Sequence, residues 1–173
     1  MIKSNRKLHQ KQAYNEQKVE VICLHGGPCS IERLIELTEV NCIGENASLT
    51  LRQEFRDYIN TFRLIQTSYV KTGGFKNLHM FYKSLSNPSE FRFILYFSLP
   101  PNMYAQTCKN LAETFDEPLR KNFSLILEKP FGYSYQSAEA LNASIVEHFK
   151  EEQIYRIDHY LCKMAVKNIL AVR

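Results

Sequence analysis

Apolar positions along the chain change their period from block to block, and each change marks an element. Val19 to His25 is a short apolar run that reads as a strand, stopped by Gly26-Gly27-Pro28. Ser30 is placed to cap a helix whose stripe is Ile31, Leu34 and Ile35, and Val40 to Ile43 reads as a second short strand ended by Gly44. Leu51, Phe55, Ile59 and Phe62 then recur at helical steps, which predicts a helix over residues 50–65. Phe91 to Leu99 is the strongest strand signal, and its near-continuous apolar run predicts a central parallel strand covered on both faces. Pro100-Pro101 ends it, and Met103, Thr107, Leu111 and Phe115 at steps of four predict a helix. Ser124 to Glu128 is another buried strand, broken by Lys129-Pro130-Phe131-Gly132. A helix from about Ser134 to Phe149 carries Ala138, Leu141, Ile145 and Phe149, and Ile154 to Ile157 is a last strand. Asp158 opens a final helix running to the C-terminus. Strands alternating with helices predict an α/β fold with a doubly wound, Rossmann-like parallel sheet.

Charge and composition narrow the class. The 173 residues carry 22 Lys plus Arg against 18 Asp plus Glu, a net charge of +4. Lys3, Arg6, Lys7, Lys11 and Lys18 face only Glu16 and Glu20 within the first twenty residues, so most of the excess is local. Residues 1–18 read as a basic polar tail and residues 19–173 as the domain. No basic stripe covers a predicted face, which argues against nucleic acid as a partner. No apolar run approaches the ~20 residues of a membrane span, and no signal peptide opens the chain. Cys23, Cys29, Cys42, Cys108 and Cys162 are scattered and odd in number, as expected of free thiols in the cytoplasm. No histidine pair has zinc-ligand spacing, so no metal is expected.

In a doubly wound sheet ligands bind outside the carboxyl ends of the strands, and three such ends are polar here. At the first, Gly26 and Gly27 allow a tight turn and close approach of backbone N–H groups to a phosphate. The full glycine fingerprint is absent, and Pro28 removes a donor, so a dinucleotide loop and a plain turn both remain open. Glu45, at the end of the predicted second strand, has the spacing of an acid that accepts the ribose 2′-hydroxyl of NAD; a solvated turn residue is the alternative. At the second end, Lys129 sits before Pro130 at the mouth of a buried strand. There it can donate to a phosphate or a sugar hydroxyl, with a surface turn as the alternative. The Lys129-Pro130 bond is a candidate for the cis form. At the third, Asp158, His159, Tyr160 and Lys163 gather at a helix start, where backbone N–H groups and side chains together suit a phosphomonoester. Asp158 is also placed to orient an imidazole, as a carboxylate does for a catalytic base.

These motifs carry a resemblance. Glu128-Lys129-Pro130-Phe131-Gly132, followed by Glu152-Gln153-Ile154-Tyr155-Arg156-Ile157-Asp158-His159-Tyr160-Leu161-x-Lys163, resembles the glucose-6-phosphate dehydrogenase family. Tyr69-Val70-x-x-Gly73 and Leu99-Pro100-Pro101-x-x-Tyr104 resemble the same family in the right order, and the likeness holds from about residue 49 onward. The resemblance implies hydride transfer from C1 of glucose 6-phosphate to NADP, the first oxidative step of the pentose phosphate pathway. It implies that Lys129 contacts sugar and coenzyme, with Pro130 as the cis proline that places it. It further implies that His159, Tyr160 and Lys163 hold the sugar phosphate, that Asp158 pairs with a catalytic histidine, and that Tyr104 lies against the coenzyme.

The chain also departs from the pattern. Gly26-Gly27-Pro28-Cys29-Ser30 replaces the family's glycine fingerprint, and Cys162 stands where a glycine is usual. The arginine that grips the 2′-phosphate of NADP is missing, and with Glu45 this points toward NAD. The family's C-terminal β+α domain, which holds the base histidine and the dimer interface, is not recognised before Arg173. The expectation is therefore a truncated enzyme, inactive alone, whose last helix exposes Met164, Ile169 and Leu170. The alternative is a non-catalytic remnant that binds a phosphosugar or dinucleotide, or docks on a partner.

Overall fold

The computed structural model describes residues 19–158. They fall into two compact units, one ending at Gln66 and the other starting at Thr67. In the first, strand β1 (Ile22–His25) pairs in parallel with β2 (Arg63–Gln66), with Ile22 opposite Arg63 and His25 opposite Gln66. Two helices, α1 (Ile31–Ile43) and α2 (Leu49–Asn60), connect them. Ser30 caps α1 as expected, its hydroxyl accepting from the Arg33 N–H at 3.2 Å.

Two expectations fail in this unit. Val40 to Ile43 is the last turn of α1, not a strand. Its β-branched residues suggest extension, but Val40, Asn41 and Cys42 are exposed and bury no strand face. The Gly44 N–H closes the turn on the Val40 carbonyl at 2.8 Å, and its φ of 86° is one that glycine adopts without strain. The predicted helix over residues 50–65 stops at Asn60, and Arg63–Gln66 is the real second strand. Phe62 happens to continue the helical step past the helix end, which hides the boundary. Between the two helices, Glu39 is buried and receives Arg52 at 2.7 Å and Arg56 at 3.0 Å. This pairing supplies the hydrogen bonds a buried carboxylate requires.

In the second unit β3 (Phe93–Phe97), β4 (Phe123–Leu127) and β5 (Ile154–Arg156) form a parallel sheet in that order. Helix α3 (Lys76–Ser84) precedes β3, α4 (Tyr104–Thr114) and the short α5 (Glu117–Arg120) join β3 to β4, and α6 (Tyr135–Val146) joins β4 to β5. Parallel strands joined through helices make this the expected Rossmann-like α/β fold.

The core lies on one face of the sheet. Phe123, Leu125 and Leu127 of β4 are buried together with Thr107, Cys108 and Leu111 of α4, Ile145 of α6 and Phe149. Phe115 stacks edge-on against His79, Tyr82 and Phe123, with centroids 5.0–5.9 Å apart. Strand β3 corrects a third expectation. Within this sheet it is an edge strand paired with β4, and its residues alternate: Phe97 is buried, whereas Ile94 is 62% and Tyr96 50% exposed. The unbroken apolar run concealed that alternation. Among the described residues no helix is long and apolar enough to cross a membrane.

Candidate functional site

Strand register brings the second and third polar ends together. Leu127 lies opposite Arg156, so two residues further on Lys129 lies level with Asp158. The Ile157 N–H extends the ladder by donating to the Leu127 carbonyl at 2.9 Å. Lys129 Nζ forms an ion pair with the Asp158 carboxylate. The lysine side chain is 63% exposed and the aspartate 21%, so the ammonium is anchored from below and open to solvent above. The Lys129-Pro130 peptide is cis.

Glu128, one residue before the lysine, is gripped by two tyrosines. The Tyr104 hydroxyl donates to its carbonyl at 3.2 Å, and the Tyr96 hydroxyl donates to its carboxylate. The hydrogen bond to Glu128 is the main reason that the Tyr96 phenol is pushed up to about 12, with burial adding to it. Burial is the first cause of the raised Tyr104 phenol.

After the lysine, the chain is braced from β5. The Arg156 guanidinium lies 5.1 Å from the centroid of Phe131, donates to Glu151 at 2.6 Å, and reaches Asn142 of α6. That bond from Arg156 lowers the Glu151 carboxyl. Gly132 has a φ of 78°, and a Cβ there would meet the Ala138 backbone nitrogen at 2.6 Å. Only glycine lets this loop close on the start of α6. Ser134 and Ser137 cap that helix reciprocally.

Of the predicted site residues, Lys129, Pro130 and Asp158 thus converge. Tyr104 needs correction: it is fully buried, packs on Phe97 with centroids 5.6 Å apart, and presents no surface to a coenzyme. Its place at the first turn of α4, under the end of β3, dictates that burial. Glu45 also needs correction. It lies in the loop between α1 and α2, where its carbonyl accepts from Arg52 at 2.5 Å, and not at a strand end. Gln66 ends β2 instead, so Glu45 does not occupy the strand-end position of a ribose-binding acid. Gly26 and Gly27 follow β1 as expected and are exposed; nothing lies within 4 Å of a Cβ built at Gly27. His25 Nδ1 approaches the Gly27 carbonyl at 2.5 Å. His159, Tyr160, Lys163, Cys162 and the predicted last helix lie outside the described residues, as does the tail of residues 1–18. Cys23, Cys29, Cys42 and Cys108 are free thiols, and no metal-holding cluster occurs among the described residues.

The contact of Tyr96 with Glu128 and the seat of Arg156 on Phe131 are not visible in the sequence pattern. Reading β3 as alternating would have found the first, because Tyr96 and Glu128 then share a face.

The family model for the glucose-6-phosphate dehydrogenase NAD binding domain matches residues 7–168. The chain belongs to the glucose-6-phosphate dehydrogenase family. It is 45% identical over 86 residues to glucose-6-phosphate 1-dehydrogenase of Treponema pallidum, covering 49% of this chain and 17% of that protein. It is 33% identical over 122 residues to glucose-6-phosphate 1-dehydrogenase 2 of Mus musculus, covering 70% of this chain and 24% of the other. A solved glucose-6-phosphate dehydrogenase in complex with its substrate glucose-6-phosphate matches the fold with a TM-score of 0.72 and 26% identity. That match covers 89% of this chain and 32% of the other. The chain thus spans a quarter or less of the length of these two curated relatives.

Proposed function

We propose that the chain provides the coenzyme domain of a cytoplasmic glucose-6-phosphate dehydrogenase, which transfers hydride from C1 of glucose 6-phosphate to NADP. The observation that carries this reading is the family match over residues 7–168, which includes both strand ends where Lys129 meets Asp158. The open turn at Gly26 and Gly27 fits a dinucleotide phosphate, because backbone N–H groups there are approachable. Bound NADP supplies the hydride acceptor. Lys129 donates to the sugar and the coenzyme, and its counter-ion directs it. His159, Tyr160 and Lys163 receive the sugar phosphate. Asp158 would orient the base imidazole that the family's C-terminal domain supplies, which takes the C1 hydroxyl proton.

A second reading, phosphosugar or dinucleotide binding without turnover, is favoured by the pairing of Asp158 with Lys129, which engages the carboxylate a base would use. Reduced-nicotinamide absorbance with glucose 6-phosphate, measured with NADP and with NAD, separates the two. Turnover that prefers NADP and is lost in Lys129→Ala supports the dehydrogenase. Binding of both glucose 6-phosphate and a dinucleotide without turnover fits a coenzyme domain inactive alone, binding of only one of them supports the second reading, and neither binding nor turnover contradicts both.

A further inference from the structure

Glu128 places a carboxylate one residue away from the lysine on which the proposed function rests. Consecutive residues at a strand end point to opposite faces. Tyr96 lies opposite Ile126, so Glu128, two residues after Ile126, continues the face of Tyr96, while Lys129 continues that of Leu127. The strand ends at Leu127, and side-chain contacts to Glu128 help to hold the backbone beyond it. Tyr104 fixes the Glu128 carbonyl from the core side, and Tyr96 fixes the carboxylate from the open side. A carboxylate released next to an ammonium in a partly exposed site would compete with Asp158 for it.

We propose that Tyr96 is a positioning residue for Lys129: its hydroxyl holds the Glu128 carboxylate on the opposite face, leaving Asp158 as the counter-ion and the ammonium open to an anionic ligand. The rigid strand β3 carries the tyrosine, so the restraint is built into the sheet and not into the loop. Its functional consequence rests on the reading of Lys129 as a ligand contact; the restraint itself does not.

The test uses the full chain and two readouts. Trace acetylation followed by mass spectrometry reports the reactivity of Lys129 relative to exposed Lys121. In Tyr96→Phe, Glu128 joins Asp158 at the ammonium, and relative Lys129 labelling falls about tenfold, as expected for a hydrogen bond to a charged group. Adding Glu128→Gln removes the competing charge and restores labelling, which a merely structural tyrosine would not allow. Glu128→Gln alone keeps the geometry of the site and labels like the unsubstituted chain. Calorimetry with glucose 6-phosphate follows the same pattern. Unchanged Lys129 labelling in folded Tyr96→Phe overturns the proposal, as does a loss that persists in the double variant. If the unsubstituted chain binds no glucose 6-phosphate, the reading of Lys129 falls, while labelling still decides the role of Tyr96.

Discussion

Gln153 holds the beginning of the strand that delivers Arg156 and Asp158, and its removal has a calculable cost. Its Nε2 donates to the Arg120 carbonyl at 2.6 Å and to the Phe123 carbonyl at 2.8 Å, while its Oε1 accepts the Lys150 N–H at 3.1 Å. One amide therefore ties the end of α5, the start of β4 and the approach to β5. Gln153→Glu keeps the shape but replaces the double donor with an oxygen facing two carbonyls. Two hydrogen bonds are lost, at about 0.5–1.5 kcal/mol each, and repulsion adds to the deficit, giving roughly 3 kcal/mol in all. That is a large fraction of the ~5–15 kcal/mol that holds a typical domain together. Urea unfolding followed by circular dichroism at neutral pH should show a lower midpoint with an unchanged slope. Protonating the new carboxyl restores one donor, so the deficit should shrink in acid. Gln153→Glu within about 0.5 kcal/mol of the unsubstituted chain would rule out this role of the Gln153 amide, because that is the range of a surface change.

Three further outcomes follow from other parts of the molecule. The Tyr96 phenol is raised to about 12, so the neutral form is favoured by folding. Its contribution is fully present below the ordinary tyrosine value of ~10 and is lost as pH rises through about 12. Tyrosinate absorbance should show its late titration, moved to lower pH by Glu128→Gln. Glu39 has its carboxyl lowered, first by the hydrogen bond from Arg52 and also by Arg56, so its contribution is present above the ordinary carboxylate range and lost as pH falls below it. Acid unfolding of Glu39→Gln should therefore be flatter with pH, and an unchanged profile would contradict the role given to this pairing. Burial pushes the Cys108 thiol up to about 12, so a thiol-specific disulfide reagent should leave it untouched in the native chain while modifying exposed Cys42. Equal rates at the two cysteines would count against the described core.

The parts of the fold that were legible in the sequence share a cause. In α4 and β4 the local pattern and the tertiary environment agree: Thr107, Leu111 and Phe115 face the core, and β4 is apolar because it lies between two strands. Ser30 announces its helix through capping chemistry that acts within four residues. Where a boundary depended on distant packing, the pattern misled. Phe62 extends the stripe of α2 beyond its end, and Val40 to Ile43 carries strand-like residues in a helical turn. Helix α3 went unread because it is nine residues long and Phe75, at its N-cap position, offers no side-chain cap. At the site, Lys129 and Asp158 were legible because each follows a strand end within a recognisable motif. Their meeting was not, since it needs the β4–β5 register. Tyr96 was hidden for a related reason: an aromatic residue in an apolar run looks like core until its strand is known to have an open face.

Lys129, presented from the end of β4 beside Asp158, is proposed to receive an anionic ligand of the glucose-6-phosphate dehydrogenase type. Isothermal titration of the full chain with glucose 6-phosphate, with and without NADP, tests it most directly when repeated on Lys129→Ala. Saturable binding is expected that weakens at least about tenfold in the variant, the loss of a charge-assisted contact. Equal affinity in the two chains would contradict it.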